Sequence, residues 1–283
     1  MKSRFRAAAV SVLAIWIVVG QLFATQSPAG AQPSGLTQSC FPVGAPSKAV
    51  AIQALGPAGT VEAENGQSYL IAGLEWSNAS QQALDALFRR AHSGIPASPT
   101  GPPDRYGRQA LWLFDREGTP LQAHAIERGL AMVAPEPQAL TGPCLKALYA
   151  LERGARRARQ GRWATPAFTP LSATDSQALF QALGRFRIVE GDIMTARDVR
   201  GRLYLNFGAD WRTDFTASIA PADLKRWRDE AGYPWLADPS QLTGARVRIR
   251  GWLESYNGPS LVIDHPGALE IVARGAAATE DTQ

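Results

Sequence analysis

The sequence predicts an α+β chain, mainly β, in two domains. Three observations carry that expectation. Short apolar or alternating runs are separated by Gly-containing turns, a few segments repeat apolar residues at helical spacing, and a Pro- and Ser/Thr-bearing stretch from Ala164 to Ser176 divides two such sets. The chain has 283 residues, 45% apolar and 19% charged, enough to bury one or two cores and too apolar for a disordered chain. The expected organisation is a leader over 1–31, an N-terminal extension over 32–48, a first domain over 49–163, a linker over 164–176, a second domain over 177–273 and a disordered tail over 274–283.

The leader rests on Lys2, Arg4 and Arg6 ahead of the apolar run from Ala7 to Gly20, with small residues at Ala29-Gly30-Ala31. This is the pattern of a secretory signal peptide cut after Ala31, and it implies a periplasmic or secreted protein with no membrane-spanning segment left after cleavage. The alternative is an uncleaved anchor, because Leu22, Phe23 and Ala24 extend the run. Cleavage removes three basic residues and lowers the formal charge from +4 to +1, so a nucleic-acid partner has to be argued from local Arg clusters. Export also implies a Cys40–Cys144 disulfide, which closes a loop of about a hundred residues and contributes about 4 kcal/mol in the chain-entropy picture. Two sulfurs with no nearby His make a poor zinc site.

In the first domain, Ala49 to Glu64 and Gln67 to Glu75 read as strands of a hairpin turning at Glu64-Asn65-Gly66. A helix follows, capped by Ser77 or Asn78, with Leu84, Leu87, Phe88 and Ala91 on one face. Ile95 to Pro103 reads as a surface loop before Asp104-Arg105-Tyr106-Gly107-Arg108, and Leu111 to Phe114 as a strand. A short helix with Thr119 as cap and Pro120 at its first position ends near Gly129. A last helix spans about Pro143 to Gln160, with Leu145, Leu148, Leu151, Ala155 and Ala158 at helical spacing.

In the second domain, Phe186 to Thr195, Arg202 to Phe207 and Asp214 to Ile219 read as strands, Pro221 to Ala231 as a helix, and Arg246 to Leu253 and Leu261 to Ile263 as two further strands. That order is the order of a five-stranded OB barrel. The fourth strand alternates so that Arg246, Arg248, Arg250 and Trp252 share one face, a combination that grips single-stranded nucleic acid in such barrels. A charged outer face is also the default for a half-buried sheet. Arg153, Arg156, Arg157, Arg159 and Arg162 make a basic helix end, read as a solvated face that also attracts a phosphate backbone or an anionic membrane surface. His92, His124 and His265 have no second ligand at metal spacing and read as structural or exposed.

Asp104, Tyr106, Gly107 and Arg108 match the strongest motif of the thermonuclease family, Ile126, Gly129, Leu130 and Val133 resemble the segment that follows it, and Gly161-Arg162-Trp163 resembles its ending. The resemblance covers about Ala49 to Trp163 and implies a thermonuclease-like OB-type barrel with three helices. It also implies calcium-dependent hydrolysis of DNA and RNA, with Arg108 donating to the scissile phosphate and Tyr106 packing beside the nucleotide. The second domain, about Arg185 to Val272, resembles the one that often follows exported thermonuclease-like domains in bacteria.

The family's calcium-binding Asp-Gly-Asp-Thr run corresponds here to Pro57-Ala58-Gly59-Thr60. Its second active-site segment corresponds to Tyr69 through Asn78, where the phosphate-binding Arg is Leu70, the calcium-binding Asp is Glu75 and the general-base Glu is Asn78. An amide cannot take a proton, so a general-base contribution of roughly 10² to 10⁴ in rate is lost. A missing Arg contact costs about another 10², and a lone Glu75 does not assemble the oxygen cage that calcium requires.

The expectation is therefore an exported pseudoenzyme with no cofactor. It binds a nucleic acid, another polyanion or a protein partner of the cell envelope, using Tyr106, Arg108, Arg246, Arg248, Arg250 and Trp252. Two alternatives stand beside it. One is an active nuclease with relocated acids, Glu75, Glu62 and Glu64 around a calcium ion. The other is a purely structural envelope module in which Asp104 and Arg108 pair across a turn.

Overall fold

The computed structural model describes Cys40 and residues 48–56, 59–89, 95–100, 102–135, 142–210, 212–228 and 233–274. The leader over 1–31, Pro57-Ala58, Ala91, His92 and the tail from 275 lie outside the described residues. The described part is α+β, built on two curled sheets with helices packed against them.

The first sheet contains β1 (Lys48–Val50), β2 (Ile52–Leu55), β3 (Thr60–Ala63), β4 (Ser68–Ile71), β6 (Ile95–Thr100) and β7 (Ala110–Leu113), in the order β1-β6-β7-β4-β3-β2. β4 and β7 run parallel and the other pairs are antiparallel. Its two end strands, β1 and β2, are separated in the chain by Ala51 alone, so the sheet curls back toward its own start. The hairpin between β3 and β4 turns at Glu64-Asn65-Gly66 as expected. Gly66 takes the left-handed conformation the turn needs (φ 77°), and the Asn65 side chain accepts from the Gln67 N–H at 3.0 Å.

Between β4 and β6 come β5 (Leu74–Glu75), a one-turn helix (Asn78–Ser80) and α1 (Gln81–Arg89), which buries Leu84, Leu87 and Phe88. Ser77 makes no side-chain capping bond, a correction to the expected cap. The helix start is anchored instead by Gln81, whose amide donates to the Leu55 carbonyl at 2.6 Å and accepts from the Trp76 indole at 2.9 Å. A second correction concerns Ile95 to Thr100, which is strand β6 and not a loop. It is hydrogen-bonded to β1 on one side and β7 on the other, and pairing on two sides outweighs the donors that Pro96 and Pro99 lack.

α2 (Leu121–Glu127) starts at Pro120 without a side-chain cap; Thr119 instead donates its N–H to Asp115 at 2.7 Å. β8 (Met132–Val133) pairs with β5, and α3 (Gly142–Arg157) buries Cys144, Leu145, Leu148, Tyr149, Glu152 and Ala155. Cys40 and Cys144 are joined in a disulfide across 104 residues of chain, as expected.

The second sheet contains β9 (Leu171–Ser172), β10 (Phe186–Asp192), β11 (Thr195–Val199), β12 (Arg202–Asn206), β13 (Thr216–Ile219), β14 (Arg246–Ser255), β15 (Pro259–Ile263) and β16 (Leu269–Ala273). Its order is β11-β12-β13-β15-β14-β10-β9, with β16 on β14, and β13 runs parallel to β15. α4 (Ser176–Gln181) precedes β10 and is capped by Asp175; α5 (Pro221–Trp227) lies between β13 and β14. The expected strand from Phe186 to Thr195 is broken at Ile193-Met194 into β10 and β11, which sit at opposite ends of the main path.

Leaving aside β9 and β16, the two sheets follow one path. A first strand is broken in two, a hairpin and a helix come next, and the last strand lies parallel to the third. The stretch from Ala164 to Ser176 is not a free spacer. It contains β9, paired to β10, and buries Phe168 and Ala173. Phe168 joins Met132, Ala155, Trp163 and Ile188 in an apolar cluster that ties the halves together. Among the described residues no helix is long and apolar enough to cross a membrane.

Candidate functional site

Asp104 organises the loop between β6 and β7. One carboxylate oxygen accepts from the N–H groups of Tyr106 (2.8 Å) and Arg108 (2.9 Å), and the other from the Arg108 guanidinium at 2.9 Å (Nε) and 2.8 Å (Nη2). The Asp104 N–H donates to the Arg108 carbonyl, and Gly107 turns the chain in the left-handed region at φ 76°. Desolvation pulls the Asp104 carboxyl up, but the Arg108 side chain and the two backbone donors together hold it below its ordinary value. Tyr106 is 64% exposed, with Arg105 and Arg108 lying 4.8 and 5.0 Å from its ring centre. The fork of Arg108 that a phosphate diester needs is thus held by Asp104.

Among the described residues the remaining acids form no metal-holding group with it. Glu75 sits on β5 opposite Met132, half-buried, and burial pushes its carboxyl up to about 7 against a small opposing bond from the Trp76 N–H. Glu62 accepts from the Ser68 hydroxyl at 2.7 Å, and Glu64 is exposed in the hairpin turn. Leu70 faces Thr60 and Ala110 in the register of the sheet, and Asn78 starts the one-turn helix. Among the described residues no group of three or more His, Cys, Asp or Glu is arranged to hold a metal ion. These side chains do not fit a calcium ion, which needs six or more oxygens.

The Arg face of β14 is also different from what its alternation implies. Arg246 pairs with Glu190 (3.0 Å) and Asp192 (3.1 Å), and Arg248 pairs with Glu190 (2.7 Å). Arg250 is 1% exposed. It grips Glu152 of α3 with two bonds of 2.9 and 3.0 Å, meets Glu270 at 2.6 Å, donates to the Val133 carbonyl at 3.0 Å and stacks 4.3 Å from the Tyr149 ring centre. Burial alone would lower its pKa, but Glu152, Tyr149 and Glu270 raise it above the ordinary value, so it stays charged. Tyr149 in turn donates to the Gly267 carbonyl at 2.7 Å, and burial raises its own pKa.

Arg250 is therefore a tie between the halves and is closed to a ligand, which corrects its expected place on a binding surface. Alternation along a strand identifies a face. It does not reveal that α3, 98 residues away in sequence, covers that face with a carboxylate. Trp252 remains half-exposed, edge-on to Phe186 at 6.2 Å.

No family model matches the chain, and no curated protein matches it. Several of the other singled-out groups are engaged within the fold. On α3, Arg153 approaches Glu270 at 3.8 Å and Arg156 lies over the Trp163 ring at 5.7 Å. His124 pairs with Asp115 at 2.9 Å, and His265 accepts from the Gly267 N–H at 2.9 Å to start a one-turn helix.

What the sequence reading missed is an open groove of about 880 Å³ on the outer face of β11, β12, β13 and β15. Its floor is laid out in rows by the register. Thr195, Asn206, Thr216, Ser260 and Glu254 stand side by side across five strands, and the Asn206 amide bonds the Thr195 and Thr216 hydroxyls at 3.1 and 3.2 Å. The next row is Arg197, Tyr204, Ser218 and Val262, followed by Val199 and Arg202. Arg202 donates to the Ser218 hydroxyl at 3.2 Å.

One wall is the turn bearing Tyr256, 72% exposed, and Asn257. At Gly258 (φ 92°) a Cβ would stand 2.8 Å from the Thr213 carbonyl, so only glycine lets this turn lie against the connection between β12 and β13. Of the nine large hydrophobic residues exposed among the described ones, four (Met194, Val199, Tyr256 and Val262) line this groove. That concentration makes it the candidate binding surface. The signal in the sequence was only the alternation Arg202-Leu203-Tyr204-Leu205-Asn206, with nothing to say that its outward side stays uncovered.

Proposed function

We propose that this protein is an exported, thermonuclease-like binding module of the cell envelope that does not hydrolyse phosphodiesters. Its second half takes a polyanionic ligand in the groove over β11–β13 and β15. The carrying observation is the Asp104–Arg108 pair, in which Nε and Nη2 of the guanidinium both bond the same carboxylate oxygen. The phosphate-gripping group is held by its own loop, and among the described residues no group of acids is assembled into an oxygen cage for calcium. The strand path supports an OB-type barrel in each half, because a broken first strand, a helix after the third and a fifth parallel to the third are how such barrels are wired. The Cys40–Cys144 disulfide is compatible with export.

The groove supplies what the first site lacks, namely exposed aromatic and apolar surface beside two guanidiniums, Arg197 and Arg202, that no carboxylate of the described residues pairs with. A calcium titration followed by melting temperature tests the loss of the metal site. Millimolar calcium is expected to leave the midpoint unchanged. Saturable stabilisation that disappears in Glu75→Gln would overturn the reading.

A further inference from the structure

We infer that the groove of the second half binds a glycan chain carrying intermittent carboxylates, such as a uronate-containing oligosaccharide. This rests on the proposal that the protein is a binding module, and it names the ligand class. The floor offers alternating donors and acceptors, Thr195, Asn206, Thr216 and Ser260, on adjacent strands. Neighbouring strands lie about 4.8 Å apart, so the row repeats a polar group at that interval across the groove. Tyr204 in the floor and Tyr256 in the wall present flat faces for the C–H side of a pyranose.

Charge decides between polymers. The groove holds Arg197 and Arg202 against Glu254, a net of one positive charge along its length. A polynucleotide carries a phosphate at every residue and is held by a continuous cationic track with stacked bases. The residues that could have formed such a track, Arg246, Arg248 and Arg250, are bound to Glu190, Asp192, Glu152 and Glu270. An extended peptide has less to add to, because β12, β13 and β15 are each hydrogen-bonded on both sides, and at the one edge strand of the floor, β11, the Ala196 N–H already donates to the Thr243 hydroxyl at 3.3 Å. A sparsely charged, hydroxyl-rich chain suits the lining best. Its sugar hydroxyls meet the Thr/Asn/Ser row, its rings meet the tyrosines, and an occasional carboxylate meets exposed Arg197 with the bidentate geometry guanidinium favours.

The test is calorimetric titration of the purified protein with a hyaluronan hexamer, in which every second sugar carries a carboxylate, its methyl ester, a galacturonate hexamer, in which every sugar does, a short oligothymidylate and hexaglutamate. At least one acidic glycan is expected to bind, with its affinity falling about tenfold on Arg197→Ala. The neutral ester is expected to bind more weakly and to be indifferent to that change. Tyr256→Ala is expected to weaken acid and ester alike. Both side chains are exposed, so the variants keep the wild-type melting temperature. Oligothymidylate or hexaglutamate binding more tightly than either acidic glycan, with the same dependence on Arg197 and Tyr256, overturns the glycan and leaves the binding module standing. No probe depending on Arg197 or Tyr256 removes the groove as the site, and with it this inference.

Discussion

The two halves share a strand path and differ in what they do with their charges. In the first half, the loop before β7 spends its cation internally, with Asp104 holding Arg108 by two bonds and the loop backbone by two more. In the second half the outer face of β11, β12 and β13 leaves Arg197 and Arg202 open beside exposed apolar residues. One wiring therefore supports a closed motif in one place and an open groove in another, and function has to be argued from which polar groups remain unsatisfied. The seam between the halves shows a third arrangement, in which a buried guanidinium is gripped by a carboxylate from each side through its two terminal nitrogens, its Nε left without a partner.

The largest effect is expected at that seam. Arg250→Ala leaves Glu152 and Glu270 without their cation and should cost about 3–5 kcal/mol in chemical denaturation. Both halves should still unfold in one transition, because the cluster around Trp163 and Phe168 spans them. Two separate transitions in the wild type would break the comparison by making the halves independent. Opening the disulfide with Cys144→Ser should cost about 4 kcal/mol for so long a loop, read from the same denaturation curves.

Glu75 gives a smaller, pH-dependent effect. Its carboxyl titrates near 7 in the fold and near 4.5 when exposed, so the fold favours the protonated form. Stability at this position is intact below pH 4.5, declines as the pH rises toward 7 and is lost above it. Glu75→Gln should therefore leave stability unchanged at pH 4 and raise it by about 2–3 kcal/mol at pH 8, after allowing for partial exposure. Equal stability of the two proteins at pH 8 would show that Glu75 has a charged partner. The smallest effect belongs to Asp104→Ala, which frees Arg108. The variant is expected to gain weak, millimolar binding of inorganic phosphate that the wild type lacks, measured by calorimetry. Equal binding by both proteins would mean that Asp104 does not hold the guanidinium closed.

Much of the scaffold was legible in the residues. Asn65-Gly66 set the hairpin, the spacing of Leu84, Leu87 and Phe88 set the buried face of α1, and the order of elements from Phe186 to Ile263 held except that the first expected strand, Phe186 to Thr195, is split into β10 and β11. Pro96 and Pro99 hid strand β6, because local propensity argues against a strand that tertiary pairing secures on both edges. Leu171-Ser172 looked like spacer for a similar reason, since a two-residue strand has no periodicity to detect. The site was less legible. The paired state of Arg108 was visible as one of the readings of Asp104-Arg105-Tyr106-Gly107-Arg108. The buried state of Arg250 depended on Glu152, and the groove depended on five strands coming into register, which are long-range facts no local pattern carries.

The most direct measurement is cleavage of single-stranded DNA and RNA by the purified protein in millimolar calcium, with Arg108→Ala alongside. The account expects both proteins to leave the substrates intact to the level of a buffer control. Calcium-dependent cleavage by the wild type that is abolished in Arg108→Ala would contradict it, since the guanidinium would then be serving a phosphate and not Asp104.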